Sequence, residues 1–225
     1  MEKPDHIENS IGLIESINEI NNGYYTDAIT LIYKVDHNKT KLSLFHFDFV
    51  QSNKNLQIII NGISINVCHE IDINLYAKER DILVIQLKGI SKIKSMFKMF
   101  SVCDDLISCP DIDKWDTSNV LDMRAIFYGC TELKEIPDIS NWNTENVIDM
   151  GEMFFCCQLI KSLPYISKWN ASNVINFESM FNKCVNLLTL PDISKWNMNK
   201  AVNIKEMFKN CSRLSKIPDI SKWNI

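Results

Sequence analysis

From residue 93 onward the apolar positions repeat with a constant step of 27 residues. Ile93, Met96, Met99 and Phe100 are matched by Val120, Met123, Ile126 and Phe127, then by Val147, Met150, Met153 and Phe154. Val174, Phe177, Met180 and Phe181 follow, and Ala201, Ile204, Met207 and Phe208 form a last copy weakened at its first position. Offsets of i, i+3, i+6 and i+7 fall on one face of a short helix, so each unit is expected to open with a helical turn and a half. A Cys-x-x-Leu step such as Cys130-Thr131-Glu132-Leu133 comes next, then a short extended piece through Ile136, Pro137 and Ile139 that ends at Trp142. Three further columns keep the step without an insertion: Phe100 with Phe127, Phe154, Phe181 and Phe208; Cys103 with Cys130, Cys157, Cys184 and Cys211; and Trp115 with Trp142, Trp169, Trp196 and Trp223. A fixed period of this length marks a stacked array, because one unit cannot bury its apolar face alone and neighbouring units can.

The first part of the chain follows other rules. Ile7, Ile11, Ile14 and Ile17 have helical spacing and predict a short amphipathic helix within residues 1–23, stopped by Asn21-Asn22-Gly23. Residues 24–89 read as a small β-rich cap domain. The runs 28–35, 41–49, 56–60, 63–67 and 82–87 are the expected strands, and Leu42, Leu44, Phe45, Phe47 and Phe49, mostly on one parity, suit a half-buried one. Asn61-Gly62 between two apolar runs is a strong hairpin signal, since both turn positions need positive φ. Residues 90–225 hold the array. No capping unit follows Trp223, so an open apolar end is expected there.

The pattern Asn-Val-x-x-Met-x-x-Met-Phe-x-x-Cys-x-x-Leu-x-x-x-Pro-Asp-Ile-Ser-x-Trp-Asn, carried most fully by residues 146–170, resembles the BspA-type leucine-rich repeat, also called the DUF285 repeat, of bacterial and protist surface proteins. The resemblance covers residues 90–225. It implies surface exposure, adhesion and binding of host or partner proteins. The expected fold is therefore α+β: a small β-rich N-terminal domain followed by a leucine-rich-repeat-like solenoid of five 27-residue units.

Charge narrows the partners. With 24 basic against 28 acidic residues the net charge is −4, and no basic patch of the kind nucleic acid requires is present. No apolar run is long enough to span a membrane. The start, Met1-Glu2-Lys3-Pro4-Asp5-His6, lacks the apolar core of a signal peptide and points to the cytoplasm, whereas the resemblance points to the surface. The compartment stays open.

The repeated chemistry is weighed against packing. The Cys130, Cys157, Cys184 and Cys211 column lacks paired metal-ligand spacing, and all four histidines, His6, His37, His46 and His69, lie outside the array. Buried free thiols are the expectation, with no metal and no cofactor. The Trp115, Trp142, Trp169, Trp196 and Trp223 column is expected in the core beside Phe127, Phe154, Phe181 and Phe208, in preference to a ligand-stacking surface. Asp111, Asp138, Asp192 and Asp219 form a carboxylate column broken by Tyr165, and Lys114, Lys168, Lys195 and Lys222 a cation column broken by Asn141. These positions are the candidate partner-binding face. Asparagines after the tryptophans are expected to satisfy backbone groups between units. No P-loop, G-x-S-x-G or H-E-x-x-H motif occurs, and with 6 glycines in all no phosphate loop is available. The expected function is a non-enzymatic protein-interaction module; the alternatives are a cell-surface adhesin and a unit that self-assembles through its C-terminal turn.

Overall fold

The computed structural model describes residues 27–223; the helix expected around Ile7 to Ile17 lies outside them. In chain order the elements are β1 (Ala28–Lys34), β2 (Lys41–Ser43), α1 (Phe47–Ser52), β3 (Gln57–Ile60), β4 (Ile63–Asn66), β5 (Glu70–Asp72), α2 (Ile73–Tyr76), β6 (Ile82–Lys88) and β7 (Leu106–Ser108), with 3-10 turns at Ile90–Lys92, Ile112–Lys114 and Ile166–Lys168. Five strands form one sheet in the order β4-β3-β6-β1-β7, and β2 pairs with β5 in a second. All pairs in both sheets are antiparallel.

The alternation read over residues 41–49 gives a strand only at Lys41–Ser43, after which the chain turns into α1. His46 caps that helix, its Nδ1 accepting the Asp48 N–H at 3.2 Å. A strand would have put Phe45, Phe47 and Phe49 on one face. The chain instead buries Phe45, just ahead of the cap, against Phe49 within the helix, with ring centroids 5.5 Å apart, and leaves Phe47 at 54% exposure.

The larger correction concerns the array. The helical opening expected of each unit is a run of turns. In the unit at 123–130 the N–H groups of Met123, Ala125, Phe127 and Gly129 donate to the carbonyls of Asp149, Gly151, Met153 and Phe155 in the next unit at 2.7–2.9 Å. Between them, Tyr128 N–H bonds Ala125 O and Cys130 N–H bonds Phe127 O, closing i to i+3 turns. Ala125 (φ 57°) and Gly129 (φ 69°) take the left-handed conformation, and the same two positions do so in every unit: Lys98 and Val102, Glu152 and Cys156, Ser179 and Lys183, Glu206 and Asn210. An α-helix points all its N–H groups one way along its axis. A left-handed residue every fourth position turns alternate amides toward the neighbour instead. The apolar spacing is compatible with either backbone, so it could not separate them.

The extended piece of each unit forms no ladder either. Besides the turn amides, parallel pairing between units is confined to isolated bridges just before the turns, Ser95 to Asp122, Asp122 to Asp149, Asp149 to Asn176 and Asn176 to Asn203. The one strand in the array, β7, pairs backward onto β1. The expectation of an α+β chain ending in a leucine-rich-repeat solenoid is thus corrected: the described residues are β-rich, carry two antiparallel sheets and few helices, and contain no solenoid of helix-and-strand units.

A single apolar cluster runs from Ile29 to Trp223. Along the turns Phe100, Phe127, Phe154, Phe181 and Phe208 stack at centroid separations of 5.6–5.9 Å. The sheet crosses the boundary drawn at 89/90 through β7. It is pinned there by Asp111, by the Lys34 N–H to Asp105 O bond at 2.8 Å and by the Lys98–Asp48 ion pair at 2.8 Å.

Candidate functional site: the repeat-built surface

Behind the surface stands a rigid wall. Trp115, Trp142, Trp169, Trp196 and Trp223 are buried. The indole N–H of Trp142 donates to Ile112 O, that of Trp169 to Ile139 O, that of Trp196 to Ile166 O and that of Trp223 to Ile193 O, at 3.1–3.3 Å and always thirty residues back. Trp115 lies in the first unit, and its buried indole N–H has no hydrogen-bond partner among the described residues. The thiols run the same way. Cys130, Cys157, Cys184 and Cys211 donate to the carbonyls of Phe100, Phe127, Phe154 and Phe181 at 2.9–3.1 Å. All eight cysteines are free. Phe127, Phe154 and Phe181 are fully enclosed, and Phe208 and Cys211 in the last turn are half-buried.

The expected partner face divides. Asp138, Asn141, Lys168, Asp192, Lys195, Asp219, Lys222 and Lys114 are exposed. None of the four lysines makes an ion pair among the described residues, and the Lys168 ammonium lies 5.8 Å from the ring centre of Tyr165. Asp138, Asp192 and Asp219 accept the N–H of Ser140, Ser194 and Ser221 at 3.0 Å, closing Asx turns. The hydroxyls of Ser194 and Ser221, followed by these N–H groups, hold the Asp192 and Asp219 carboxyls below the usual carboxylate range. Asp111 departs from its column. It is buried, its two oxygens taking the N–H and hydroxyl of Thr30, so it belongs to the junction and not to a partner face.

The asparagines after the tryptophans also act differently from the expectation. Asn143, Asn170 and Asn197 bond amides two residues on within their own turn. The bonds between units come from Asn119, Asn146 and Asn173, whose side-chain amides reach Ser91 O, Ser118 O and Glu145 O at 2.7–3.0 Å.

One column of the surface escaped the sequence reading. Leu121, Ile148, Ile175 and Val202 follow the buried valine position and stand outward at 41%, 43%, 44% and 87% exposure. Their amides stitch the units together, Leu121 to Lys94 O, Ile148 to Leu121 O, Ile175 to Ile148 O and Val202 to Ile175 O at 2.8–2.9 Å. The side chains are thus held in line by the backbone that carries them. The signal was in the sequence, as an apolar residue one step after Val120, Val147, Val174 and Ala201 at the same period of 27.

Elsewhere the titratable groups are dispersed. His37 lies 3.3 Å from Asp81 at the surface, His69 packs edge-on to Phe47, and burial followed by the Lys98 charge holds His46 below its ordinary range. Groups of three or more His, Cys, Asp or Glu side chains able to hold a metal are absent among the described residues. A cleft of about 530 Å³ at the junction is lined by Asp27, Asn53, Asn55, Lys92, Lys94 and Ser95, and Asn53 spends its amide on Phe49 O and Ser95 O. No helix among the described residues is long and apolar enough to cross a membrane.

No curated protein matches the chain, and no solved structure does. The model of one family, described as Mycoplasma protein of unknown function, DUF285, matches residues 78–162 and 136–225. These two matches together take in more than half of the chain, the whole of the turn array included, and the chain belongs to the DUF285 family.

Proposed function

We propose that the chain is a non-enzymatic protein-binding module whose reading surface is the ridge of Leu121, Ile148, Ile175 and Val202 with the exposed charges around it. The observation that carries this reading is the exposure of four aliphatic side chains in one register. Single exposed apolar residues need no explanation, but a contiguous row held by the backbone is a binding surface in waiting. The core columns supply rigidity. Each unit spends its tryptophan, phenylalanine and thiol on the neighbouring unit, so the ridge loses little conformational entropy when a partner sits on it. Lys114, Lys168, Lys195 and Lys222, which make no ion pair among the described residues, add selectivity and favour a partner that carries acidic as well as apolar groups. The BspA-type resemblance gives the alternative, a surface adhesin. Asn38, Asn170 and Asn210 open N-x-Ser/Thr sequons and are all exposed, which suits a glycosylated surface molecule.

The test is quantitative affinity capture with three baits: the native chain, Ile148→Ser with Ile175→Ser, and the four lysines changed to glutamate. A partner retained by the native chain and lost from the serine bait, whose melting temperature is unchanged, supports the ridge as reader. Identical captured sets from the native and serine baits overturn it.

A further inference from the structure

The edge of the five-stranded sheet carries a second interaction surface, independent of the ridge. β4 pairs with β3 through a two-residue turn, Asn61 (φ 51°) and Gly62 (φ 80°), both left-handed as a type I′ turn requires. The pair that flanks such a turn, Ile60 with Ile63, exchanges both its hydrogen bonds. Bonding then alternates along an antiparallel ladder, so Ile58 with Ile65 is the next bonded pair. The Val67 N–H to Leu56 O bond at 3.0 Å keeps this phase. Ser64 and Asn66 consequently turn their N–H and C=O groups away from β3. Among the described residues no strand lies on that side.

Natural edges are protected by lysine, proline or a bulge. This one has none. From Leu56 to Cys68 there is not one charged residue. Ile63 is 58% exposed and Ile65 half-buried, on the same side of the strand.

We propose that β4 pairs antiparallel with β4 of a second copy about a two-fold axis at Ile65. The outward groups fix the register. Ser64 of each copy exchanges hydrogen bonds with Asn66 of the other, and Ile65 faces Ile65 in the narrow, non-bonded pair. Ile63 then faces Val67. Apolar side chains meet apolar ones and polar meet polar at each step, and no like charges oppose although the chain as a whole carries −4. That self-complementarity is the reason to name a second copy as the occupant. A pairing of five residues per strand, 63–67, is small beside stable interfaces, so the dimer is reversible and forms as concentration rises.

Sedimentation of the full chain across the micromolar to millimolar range reads this directly. The expected result is a molar mass that climbs to twice the monomer value, and Ser64→Lys remains at the monomer value with an unchanged melting temperature. A cross-link then reads the register without relying on that variant's folding. Ile65→Cys in a Cys68→Ser background places two thiols across a non-bonded pair, where Cα atoms about 4.5 Å apart lie within disulfide range. Mild oxidation followed by peptide mapping is expected to give the 65–65 link, while Val202→Cys in the same background gives no such dimer. A native chain that stays monomeric throughout, a Ser64→Lys dimer equal to the native one, or linkage at 202 with none at 65 overturns the proposal.

Discussion

Asp111 accepts two hydrogen bonds from Thr30, one from the backbone N–H at 2.7 Å and one from the hydroxyl at 2.8 Å, with both residues buried. The contact joins β1 to the first turn unit across 81 positions of sequence. It also explains why a residue that repeats as an exposed Asx-turn former elsewhere is committed here. Replacing Asp111 with alanine strands a buried N–H and a buried hydroxyl at once. The expected cost is about 3 kcal/mol, since hydrogen bonds to a charged group contribute about 1.5–3 kcal/mol each and losses at one site do not simply add. Asp111→Asn keeps an acceptor for the N–H, and the Thr30 hydroxyl can accept from the new amide, so its cost is expected near half of that. Urea unfolding of the two variants checks the order; equal losses from both would show that the clasp is not what joins the two parts.

The left-handed positions give a second prediction. Val102 is a β-branched residue at φ 57° with its side chain 56% exposed, while Gly129 fills the corresponding position of the next unit at φ 69°. An L-residue in this region costs roughly 1–2 kcal/mol relative to glycine. Val102→Gly is therefore expected to raise stability by about 1 kcal/mol, the gain being trimmed by the freedom glycine adds to the unfolded chain. Gly129→Ala should lower it by a similar amount. A Cβ at 129 meets Val102 Cγ2 at 3.3 Å, so Gly129→Ala should cost less once Val102 is glycine. Denaturant midpoints of the four chains test this, and additive effects would remove the contact from the account.

What the sequence discloses depends on whether the signal is chemical or geometric. Burial of the Trp, Phe and Cys columns can be read from residue type and period, because large apolar groups at a fixed step have only the neighbouring unit to pack against. The Asn61-Gly62 turn is legible for a local reason, the backbone angles only such residues take easily. The turn ladder in the array is not legible. Ala125, Glu152, Ser179 and Glu206 fill a left-handed position without any of the residues that announce one, and amide bonds to the next unit hold the first three there. Asp111 could not be told from Asp138 by its own surroundings in the chain, since what differs is β1 beside it. The ridge of Leu121, Ile148, Ile175 and Val202 shared the period of the core and was hidden by it: an apolar residue next to a buried valine reads as more core until the backbone direction is known.

The indole bonds predict a difference between tryptophans of equal burial. Trp169→Ala should cost about 3–5 kcal/mol through lost packing, and Lys168→Ala, exposed and unpaired, stays within about 0.5 kcal/mol. Phenylalanine is more discriminating. Trp169→Phe keeps a ring in the stack, which runs at 6.4 Å to its neighbours on both sides, but leaves Ile139 O without its donor. Trp115→Phe loses no such bond, because the Trp115 indole N–H has no partner among the described residues. Thermal or chemical unfolding should place Trp115→Phe about 1 kcal/mol above Trp169→Phe, the net value of one buried hydrogen bond. Equal destabilisation would mean that the Trp169 indole hydrogen bond adds no net stability.

The thiol column sets an alkaline limit on stability. Burial pushes the Cys130 thiol up to about 12 from the ordinary 9.0, and burial raises Cys157 and Cys184 as well. A thiol with a raised folded value disfavours the native state wherever the unfolded chain would have lost the proton. Stability is complete below about pH 9 and drains away as pH climbs from the unfolded value toward the folded one. Each such thiol should therefore cost up to about 1.4 kcal/mol per pH unit above about pH 9. Cys130→Ser does not ionise in this range and retains a donor for Phe100 O, the bond Cys130 makes at 2.9 Å. In urea titrations under reducing conditions, the native chain and Cys130→Ser should show a constant stability difference between about pH 7.5 and 8.5. Above about pH 9 the native chain should fall faster by one thiol's slope, until about pH 10.5, where other groups begin to titrate. Lysines and Tyr33 are common to both chains and cancel in the difference. Curves that stay parallel through pH 10 would show that the Cys130 thiol is not protonated by enclosure, and the turn stack around it would have to be open to water.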